Sequence, residues 1–278
     1  MPLERVSNIL KEADKGGYAV AAFNVFNYET IAWIVEAAEE EDMPVIAMLY
    51  PACSKFIPYT TFVAIVKDVA SKAKVPVGLH LDHSRSYEEI MAAIRDGFTS
   101  VMIDGSTLPF EDNVKITKEI VKVAHAMDVD VEAELGYVGR ASNLDDYTDK
   151  SRFTDSDSVV EFVERTGVDS LAIAIGNAHG NYVATPNLDL ERLEDINSRT
   201  DVPLVLHGGS GIPDEQIRAA VKLGINKINI GTELNQLFMQ QFQEIMNEGK
   251  AWGMLGCMMG MKDKVIEGIR QKIRLLKP

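Results

Sequence analysis

The chain has 278 residues, of which 46% are apolar and 25% are charged, enough for one large domain or two small ones. The 42 acidic residues outnumber the 28 basic ones, and no basic stripe of the kind that nucleic-acid-binding proteins carry interrupts this excess. No apolar run reaches the roughly 20 residues of a membrane span, and Cys53 and Cys257 fit no metal or redox spacing. We therefore expect a cytoplasmic protein without nucleic-acid or membrane partners.

Eight apolar, β-branched runs alternate with amphipathic helical patterns along the chain. This alternation predicts a parallel sheet whose strands are buried on both faces. Eight strand–helix units in this length predict a (β/α)8 TIM barrel, an α/β fold that forms a single domain over residues 1–278. The predicted strands are residues 18–23, 44–49, 77–81, 100–104, 130–135, 170–175, 203–206 and 225–230, and the predicted helices are residues 28–40, 60–72, 86–95, 110–127, 155–166, 188–198, 213–223 and 234–247.

Three segments fall outside the eight units. Residues 3–15 predict an extra N-terminal helix, and residues 261–276 predict a C-terminal helical tail. The Met-rich residues 253–261 between barrel and tail are interpreted as a pliable segment for packing or subunit contact. The rival fold is a doubly wound sheet, but the first predicted strand leads into the sequence FNVFN instead of a glycine-rich dinucleotide-binding turn.

Histidines end three of the predicted strands. In a TIM barrel all strand ends meet at one rim, which brings together His83, His179 and His207 with a carboxylate from a fourth strand end. Imidazoles and a carboxylate are ligands of a divalent metal, and an open coordination position makes such a site catalytic. Zn2+ is favoured, although Co2+ or Fe2+ would accept the same ligands. A single strand-end histidine is more often structural, and His80 and His125 are interpreted in that way.

Asp82 precedes the first of these histidines. Neighbours in an extended strand point to opposite faces, so the chain must turn if Asp82 and His83 are both to face the rim, and we expect Ser84 and the helix near Ser86 to supply that turn. A carboxylate that lies beside a metal without binding it can act as a general acid or base. The alternative interpretation of Asp82 is a helix cap.

Glycine and hydroxyl residues follow the last two strands, in the runs HGGSG (207–211) and NIGT (229–232). Backbone N–H groups and a helix N-terminus favour an anion, and these two loops are the usual phosphate site of the fold. Tight turns also need glycine, so the pattern alone is weak. Together with a metal, it predicts a phosphorylated substrate with an oxygen that the metal can polarise.

Six runs carry a resemblance to a known family. LHLDHS, SVMIDGS, VEAELG, AIAIGNAHGNY, VLHGGSGI and KINIGTEL occur in this order, and the chain resembles the class II, metal-dependent ketose-bisphosphate aldolases, the tagatose-bisphosphate branch most of all. The likeness covers nearly the whole chain. It implies reversible aldol cleavage of a ketose 1-phosphate or 1,6-bisphosphate, tagatose- or fructose-bisphosphate-like, to dihydroxyacetone phosphate and an aldehyde through a metal-stabilised enediolate. It also implies a homodimer or homotetramer.

The resemblance assigns roles to individual residues. It implies that His83, His179 and His207 hold zinc, that Asp82 is the catalytic aspartate, and that an accompanying monovalent cation is allowed. Glu134 and Asp104 match acidic positions of an alternative or second metal location. Asn229 would hydrogen-bond the enediolate. The positions that match the dihydroxyacetone-phosphate site are Gly180, Gly208, Gly209, Ser210, Asn229, Ile230, Gly231 and Thr232.

The chain departs from the family pattern in two places. The acid that serves proton transfer at C3 is displaced, which leaves Asp145 or Asp146 as candidates on a loop, residues 137–153, with little apolar material and therefore expected to be mobile until it closes on substrate. The sequence YPAC (50–53) follows strand two where relatives contact the far phosphate, so recognition of a second phosphate is open. Arg140 and Lys262 are the candidates for contacting an anion at that end.

Three other functions are weighed against the bisphosphate aldolase. They are a metal-dependent isomerase or epimerase of a sugar phosphate, an aldolase for a related non-bisphosphate ketose phosphate, and a sugar-phosphate-binding protein that kept the barrel. Buried histidines and acids without a use would carry a desolvation cost, which argues against the binding protein. The stereochemistry at C4 of the substrate is not specified by any single residue.

Overall fold

Eight parallel strands close into a barrel in the computed structural model, which describes residues 3–249 and 252–278. Each strand pairs with the next in sequence, and the eighth pairs with the first. The predicted TIM barrel is thereby confirmed. The strands are β1 (Val20–Asn24), β2 (Val45–Leu49), β3 (Val77–Ser84), β4 (Ser100–Ile103), β5 (Asp130–Leu135), β6 (Ser170–Ile173), β7 (Leu204–Leu206) and β8 (Ile225–Ile230).

Helices follow the strands and cover the outside of the barrel. They form where apolar side chains recur at helical spacing and where caps satisfy the end groups; the helix at 87–96, for example, begins at the Ser86 side chain, which accepts from Glu89 N, and ends at Gly97 in the left-handed region. No helix in the described residues is long and apolar enough to cross a membrane. The helices are α1 (Val6–Gly16), α2 (Tyr28–Glu41), α3 (Tyr59–Lys72), α4 (Tyr87–Asp96), α5 (Phe110–Ala126), α6 (Asp145–Thr148), α7 (Ser156–Thr166), α8 (Leu190–Asn197), α9 (Asp214–Lys222), α10 (Thr232–Asn247) and α11 (Gly253–Leu275), with short 3-10 helices at Pro51–Lys55 and Lys150–Arg152.

The predicted N-terminal helix, α1, packs against the lower end of the barrel. Its apolar face joins inward-pointing side chains of β1 and β2 in a cluster that is separate from the main core between strands and helices. Because α1 covers the N-terminal ends of the strands, the C-terminal ends form the accessible mouth. The cluster consists of Val6, Ile9, Leu10, Ala13, Val20, Ala22, Ile46 and Met48.

The C-terminal helix is longer than predicted. It begins at Gly253, so the Met-rich stretch expected to be a pliable joint forms the first turns of α11. The reason is that Cys257 and Met261, four residues apart, are buried on one face of the helix, whereas Met254 and Met259 are exposed.

Charge pairs bind the end of α11 to α2. Glu41 accepts from Arg270 Nε at 2.8 Å, Arg274 Nε at 2.9 Å and Lys277 Nζ at 2.9 Å. Burial by itself would raise the pKa of Glu41, but hydrogen bonds from these three cations outweigh burial and lower the pKa to about 2. The carboxylate is therefore charged at neutral pH and holds the helical tail in place.

Candidate active site

Three histidine side chains meet at the mouth of the barrel. His83 Nε2 lies 2.9 Å from His179 Nε2 and 2.8 Å from His207 Nδ1, and one ligand atom of each residue lies within 4.8 Å of the others. They come from the end of β3, from the loop after β6 and from the residue after β7. Sequence reasoning therefore brought together residues that are 96 and 124 positions apart from His83 along the chain.

A β-bulge lets the neighbours Asp82 and His83 both contribute to the mouth. The register of β3 against β4 shifts between Leu81 and Ser84, and His83 has a φ of 48°, in the left-handed region. An extra residue of this kind redirects the side chains that follow it. The predicted turn at Ser84 is wrong, because the strand continues to Ser84, whose carbonyl accepts from Asp104 N at 2.7 Å.

The electrostatics of the histidine cluster favour a bound cation. Burial and the neighbouring imidazoles lower the pKa of His179 to about 3, so its ring is neutral and can offer a lone pair. Burial acts in the same direction on His83, but the carboxylates of Asp82 and Asp104 outweigh burial and raise its pKa to about 9. The surrounding carboxylates thus stabilise positive charge where the three nitrogens converge. Three imidazole nitrogens in such a field form a donor set that a divalent metal fits.

Glu134 and Asp104, the two acidic candidates for a metal location, differ in their surroundings. Glu134 Oε2 is buried, has no hydrogen-bond partner among the described residues and lies 3.5 Å from His207 Nδ1, so it is free to bind a cation. Burial and the charge of Asp104 raise the pKa of Glu134 to about 8. Asp104 accepts instead from Ser106 Oγ at 2.6 Å and from Arg85, with His83 Nδ1 3.6 Å away. Asp104 therefore lies on the Nδ1 side of the His83 ring, whereas Nε2 faces the other two histidines.

A buried ion pair beneath the cluster was not assigned a role from the sequence. Glu132 Oε1 lies 2.9 Å from His207 Nε2, and Glu132 Oε2 accepts from Lys227 Nζ at 2.8 Å. All three side chains are fully buried inside the barrel. Their inward positions on β5 and β8 could have been found from strand alternation, because Glu132 and Glu134 share one face of β5. A charged pair in a barrel interior needs a partner or a function.

Two asparagine amides hold the carboxylate of Asp82. Asn24 Nδ2 donates to Asp82 Oδ2 at 2.9 Å, and Asn229 Nδ2 donates to Asp82 Oδ1 at 3.1 Å. Burial opposes ionisation, but the positive charges of His83 and Lys227 outweigh burial and lower the pKa of Asp82. The carboxylate is therefore ionised and fixed in orientation, and it does not cap a helix. Asn24 is a site residue that the sequence analysis missed, although it ends β1 in the quoted run FNVFN.

Six of the eight predicted phosphate-site residues line a small cavity of about 80 Å³ next to the histidines. Helix α10 begins there at Thr232, two residues earlier than predicted, and Glu233 N donates to Ser210 Oγ at 3.2 Å. A side chain at Gly208, whose φ is 62°, would come within 2.1 Å of the Ala178 carbonyl, so glycine is required beside His179. Gly209 packs on Ile228, and Ile230 is buried in the core. The six are Gly180, Gly208, Ser210, Asn229, Gly231 and Thr232.

The loop after β5 is held by packing and hydrogen bonds. The expectation that it holds little apolar material is therefore wrong. Four of its apolar side chains are buried, and a parallel bridge pairs Arg140 with His179. Asp146 accepts from Arg140 N at 2.7 Å and from Arg152 Nη1 at 2.6 Å, so its carboxylate is committed to the loop. Asp145 is exposed on α6, and neither aspartate lines either cavity of the mouth. The buried side chains are Val138, Ala141, Tyr147 and Phe153.

A larger cavity of about 590 Å³ adjoins the small one. It is lined by a positively charged side chain that the sequence analysis missed. Arg85, just after β3, lines it together with Tyr50, Pro51 and Ala52. The two expected candidates for this end lie elsewhere. The Arg140 side chain is exposed outside the cavity, and Lys262 Nζ pairs with Glu36 Oε2 at 2.8 Å.

His80 and His125 stay outside the cluster. His80 is fully buried, with Nδ1 2.7 Å from Ser100 Oγ. His125 lies at the end of α5 on the outer layer, with Nε2 2.8 Å from Asp169 Oδ2. Neither residue contributes a nitrogen to the converging set.

Comparison with known proteins identifies the family. The sequence profile of the family "Fructose-bisphosphate aldolase class-II" matches residues 4–278. The structure is similar to that of the YdjI aldolase from Escherichia coli K12, with a TM-score of 0.88, 39% identity, and 99% of this chain and 97% of that chain covered. It is also similar to a Coccidioides immitis protein assigned as a fructose-1,6-bisphosphate aldolase, with a TM-score of 0.86, 28% identity and coverage of 98% and 96%.

A fructose-bisphosphate aldolase from Campylobacter jejuni shares the fold, with a TM-score of 0.85, 23% identity and coverage of 99% and 95%. At that identity the likeness concerns the fold alone. The match of the family profile over nearly all of the chain is what shows the family. The chain belongs to the class II fructose-bisphosphate aldolases and is an enzyme of the lyase class.

Proposed function

We propose that this aldolase cleaves a ketose 1-phosphate or ketose 1,6-bisphosphate reversibly to dihydroxyacetone phosphate and an aldehyde, with Zn2+ as its metal. The observation that carries the proposal is the ionised Asp82 carboxylate beside three converging histidines, above a small cavity that a helix N-terminus and glycine-rich loops surround. Such a cavity suits the phosphate end of the substrate, because N–H groups and the helix dipole favour an anion.

Asp82 is proposed to move the proton of the bond-breaking step. It would take the proton from the C4 hydroxyl as the C3–C4 bond breaks, and return it to the aldehyde oxygen in the condensation direction. Asn24 and Asn229 hold both carboxylate oxygens, so the base is oriented before substrate binds. Asn229 Oδ1 is buried without a partner among the described residues and can accept from a substrate hydroxyl.

The residues proposed to hold the metal are His83, His179 and His207, with Glu134 as a fourth or alternative ligand. A divalent cation bound there supplies Lewis acidity toward the charge that develops on the substrate's ketone oxygen. The nitrogen-rich donor set favours Zn2+, and Co2+ or Fe2+ would be accepted as well. A monovalent cation remains a prediction that assays in sodium and potassium salts can test.

The proton at C3 of the dihydroxyacetone half needs a separate base. Of the two candidates, Asp145 keeps a carboxylate without a side-chain partner among the described residues, whereas Asp146 is bound within the loop. We assign the role to Asp145. It lies outside both cavities, so the role requires the segment around α6 to give up the Asp146 contacts that anchor it and to move toward the histidines during turnover.

The test is a coupled assay of dihydroxyacetone phosphate release from tagatose, fructose and related ketose phosphates. Cleavage that a chelator abolishes and zinc restores is the expected result. If zinc-loaded enzyme cleaves no ketose phosphate, the proposed function is wrong. An epimeric product without a triose would favour the isomerase or epimerase, although membership of an aldolase family favours cleavage.

Assembly and location are proposed on separate grounds. Trp252, Met254, Leu255 and Met259 expose large apolar side chains at the start of α11, and we propose that they contribute to a homodimer or homotetramer contact. Light scattering on the chain and on a Met254→Ser, Leu255→Ser, Met259→Ser variant tests this, and a monomer in both cases would refute the proposed assembly.

The free cysteines Cys53 and Cys257 support a reducing, cytoplasmic location.

A further inference from the structure

The mouth of the barrel consists of two adjoining cavities with different chemistry. They share Asp82, His83 and His179, so the reacting bond lies where they meet. The small cavity, with Gly208 and Ser210, suits the phosphate of the dihydroxyacetone half. On the proposed function, on which this inference rests, the aldehyde half of the substrate must then occupy the larger cavity of about 590 Å³.

Arg85 is the only lysine or arginine among the described residues that line the larger cavity. Its Nε and Nη2 lie 2.8 and 2.7 Å from Asp104 Oδ2, and Asp104 is itself held by Ser106. These contacts fix the guanidinium. Its Nη1 has no hydrogen-bond partner in the described parts of the chain, and 63% of the side chain is exposed. A fixed guanidinium with free N–H groups is suited to binding an oxyanion.

No second lysine or arginine lines this cavity in the described parts of the chain, and Gly231 and Thr232 at the start of α10, which line both cavities, are assigned to the phosphate of the dihydroxyacetone half. Tyr50, Pro51 and Ala52 form one side, and they bring neither a cation nor a glycine-rich turn. Glu89 lines the cavity too, but its Oε2 accepts from Ser84 Oγ at 3.0 Å, which holds the carboxylate toward the end of β3. An anion at the far end of the substrate therefore has Arg85 as its one lysine or arginine partner among the described lining residues.

We propose that Arg85 binds an anionic group, a carboxylate or a phosphate, at the end of the aldehyde half and thereby selects the substrate. The enzyme then prefers a ketose 1-phosphate whose far end is charged over one that ends in a neutral hydroxymethyl group. Hydrogen bonds to charged groups contribute roughly 1.5–3 kcal/mol, which corresponds to about a 10- to 150-fold preference.

The experiment compares kcat/KM for three substrates that share the 1-phosphate end: a ketohexose 1-phosphate, its 1,6-bisphosphate, and the 1-phosphate of the matching 6-carboxylate. We expect one anionic substrate to be preferred by the wild-type protein, and whichever it is identifies the anion. Arg85→Gln should lower kcat/KM about 10- to 150-fold for that substrate and less than about 3-fold for the neutral one. Arg85→Lys should retain part of the preference.

Two arginine variants make the comparison specific. Arg95→Gln removes an exposed arginine of α4 that pairs with Asp96, and it should change nothing. Arg140→Gln tests the rival cation. If Arg140→Gln abolishes the preference and Arg85→Gln does not, or if Arg85→Gln slows all three substrates equally, the proposal is wrong.

A second measurement separates this proposal from the proposed function. Hydrogen exchange at C3 of dihydroxyacetone phosphate needs no aldehyde half, so Arg85→Gln should exchange at the wild-type rate with unchanged metal content. Absence of both exchange and cleavage in the wild-type protein would mean that the proposed function has failed. Wild-type exchange and cleavage with equal kcat/KM for neutral and anionic substrates would mean that only the role of Arg85 has failed.

Discussion

His207 donates from Nε2 to Glu132 Oε1 across 2.9 Å at the centre of the barrel, where both side chains are fully buried. Because a carboxylate can only accept, this contact places the ring hydrogen on Nε2 and leaves the lone pair of Nδ1 toward His83. Lys227 neutralises Glu132 from the other side. The pair therefore fixes which nitrogen of His207 is available to a metal.

Glu132→Gln should weaken metal binding. The amide can present its N–H to His207 as readily as its oxygen, so the ring loses its fixed tautomer, and affinity for Zn2+ should fall about 10- to 100-fold. Competition with a chromophoric chelator measures the effect. Asp169→Asn is the matched control, because it alters a histidine–carboxylate contact on the outer helix layer and should leave the affinity unchanged.

Metal analysis distinguishes the proposed metal ligands from the proposed catalytic base. His83→Ala, His179→Ala and His207→Ala should each lose bound metal and activity together, because each removes one of the three converging nitrogens. Asp82→Ala should keep the metal and lose about 10²-fold or more in turnover. Metal analysis of the four purified variants decides, and full zinc stoichiometry in all three histidine variants would refute the ligand set.

Asp145→Asn should slow hydrogen exchange at C3 of dihydroxyacetone phosphate by about 10²-fold or more without changing metal content. Asp146→Asn should act differently, because it breaks the contacts to Arg140 and Arg152 and should make the loop more sensitive to limited proteolysis. Exchange at the parent rate in both variants and in the double variant would show that the base lies elsewhere.

Glu41 should make stability depend on acidity. Its pKa is lowered in the folded chain from 4.5 to about 2, so the native state is stabilised above pH 4.5 and loses that stabilisation as the pH falls toward 2. Glu41→Gln should lower the free energy of unfolding by about 1–2 kcal/mol near neutral pH, and the difference from the parent should vanish in strong acid. Urea titrations at several pH values measure this. Glu40→Gln, which alters an exposed pair with Arg270, should have a smaller effect.

The barrel was predictable because alternating strand and helix patterns recur along the whole chain. Strands β5 and β8 have the predicted bounds. Local irregularities of the strands were not predictable. The bulge at His83 depends on pairing with β4, and no residue in LHLDHS requires a positive φ. Arg85 and Asn24 were missed because their roles depend on partners, Asp104 and Asp82, that lie 19 and 58 positions away. The loop after β5 was expected to contain little apolar material because its buried apolar side chains are scattered among polar ones.

The packing of α1 against the lower end of the barrel has a consequence for the order of events. Since α1 covers the N-terminal ends of the strands in the described parts of the chain, a metal and a sugar phosphate would both reach the proposed site from the mouth at the C-terminal ends. Of the proposed metal ligands, His207 is fully buried and lines neither cavity, so a metal held there would lie beneath a sugar in the larger cavity. On the proposed function, a metal would therefore bind before the sugar phosphate and would be released after it. Bound sugar phosphate would then block release of the metal. A chelator should therefore remove metal more slowly from the enzyme with substrate bound than from the substrate-free enzyme.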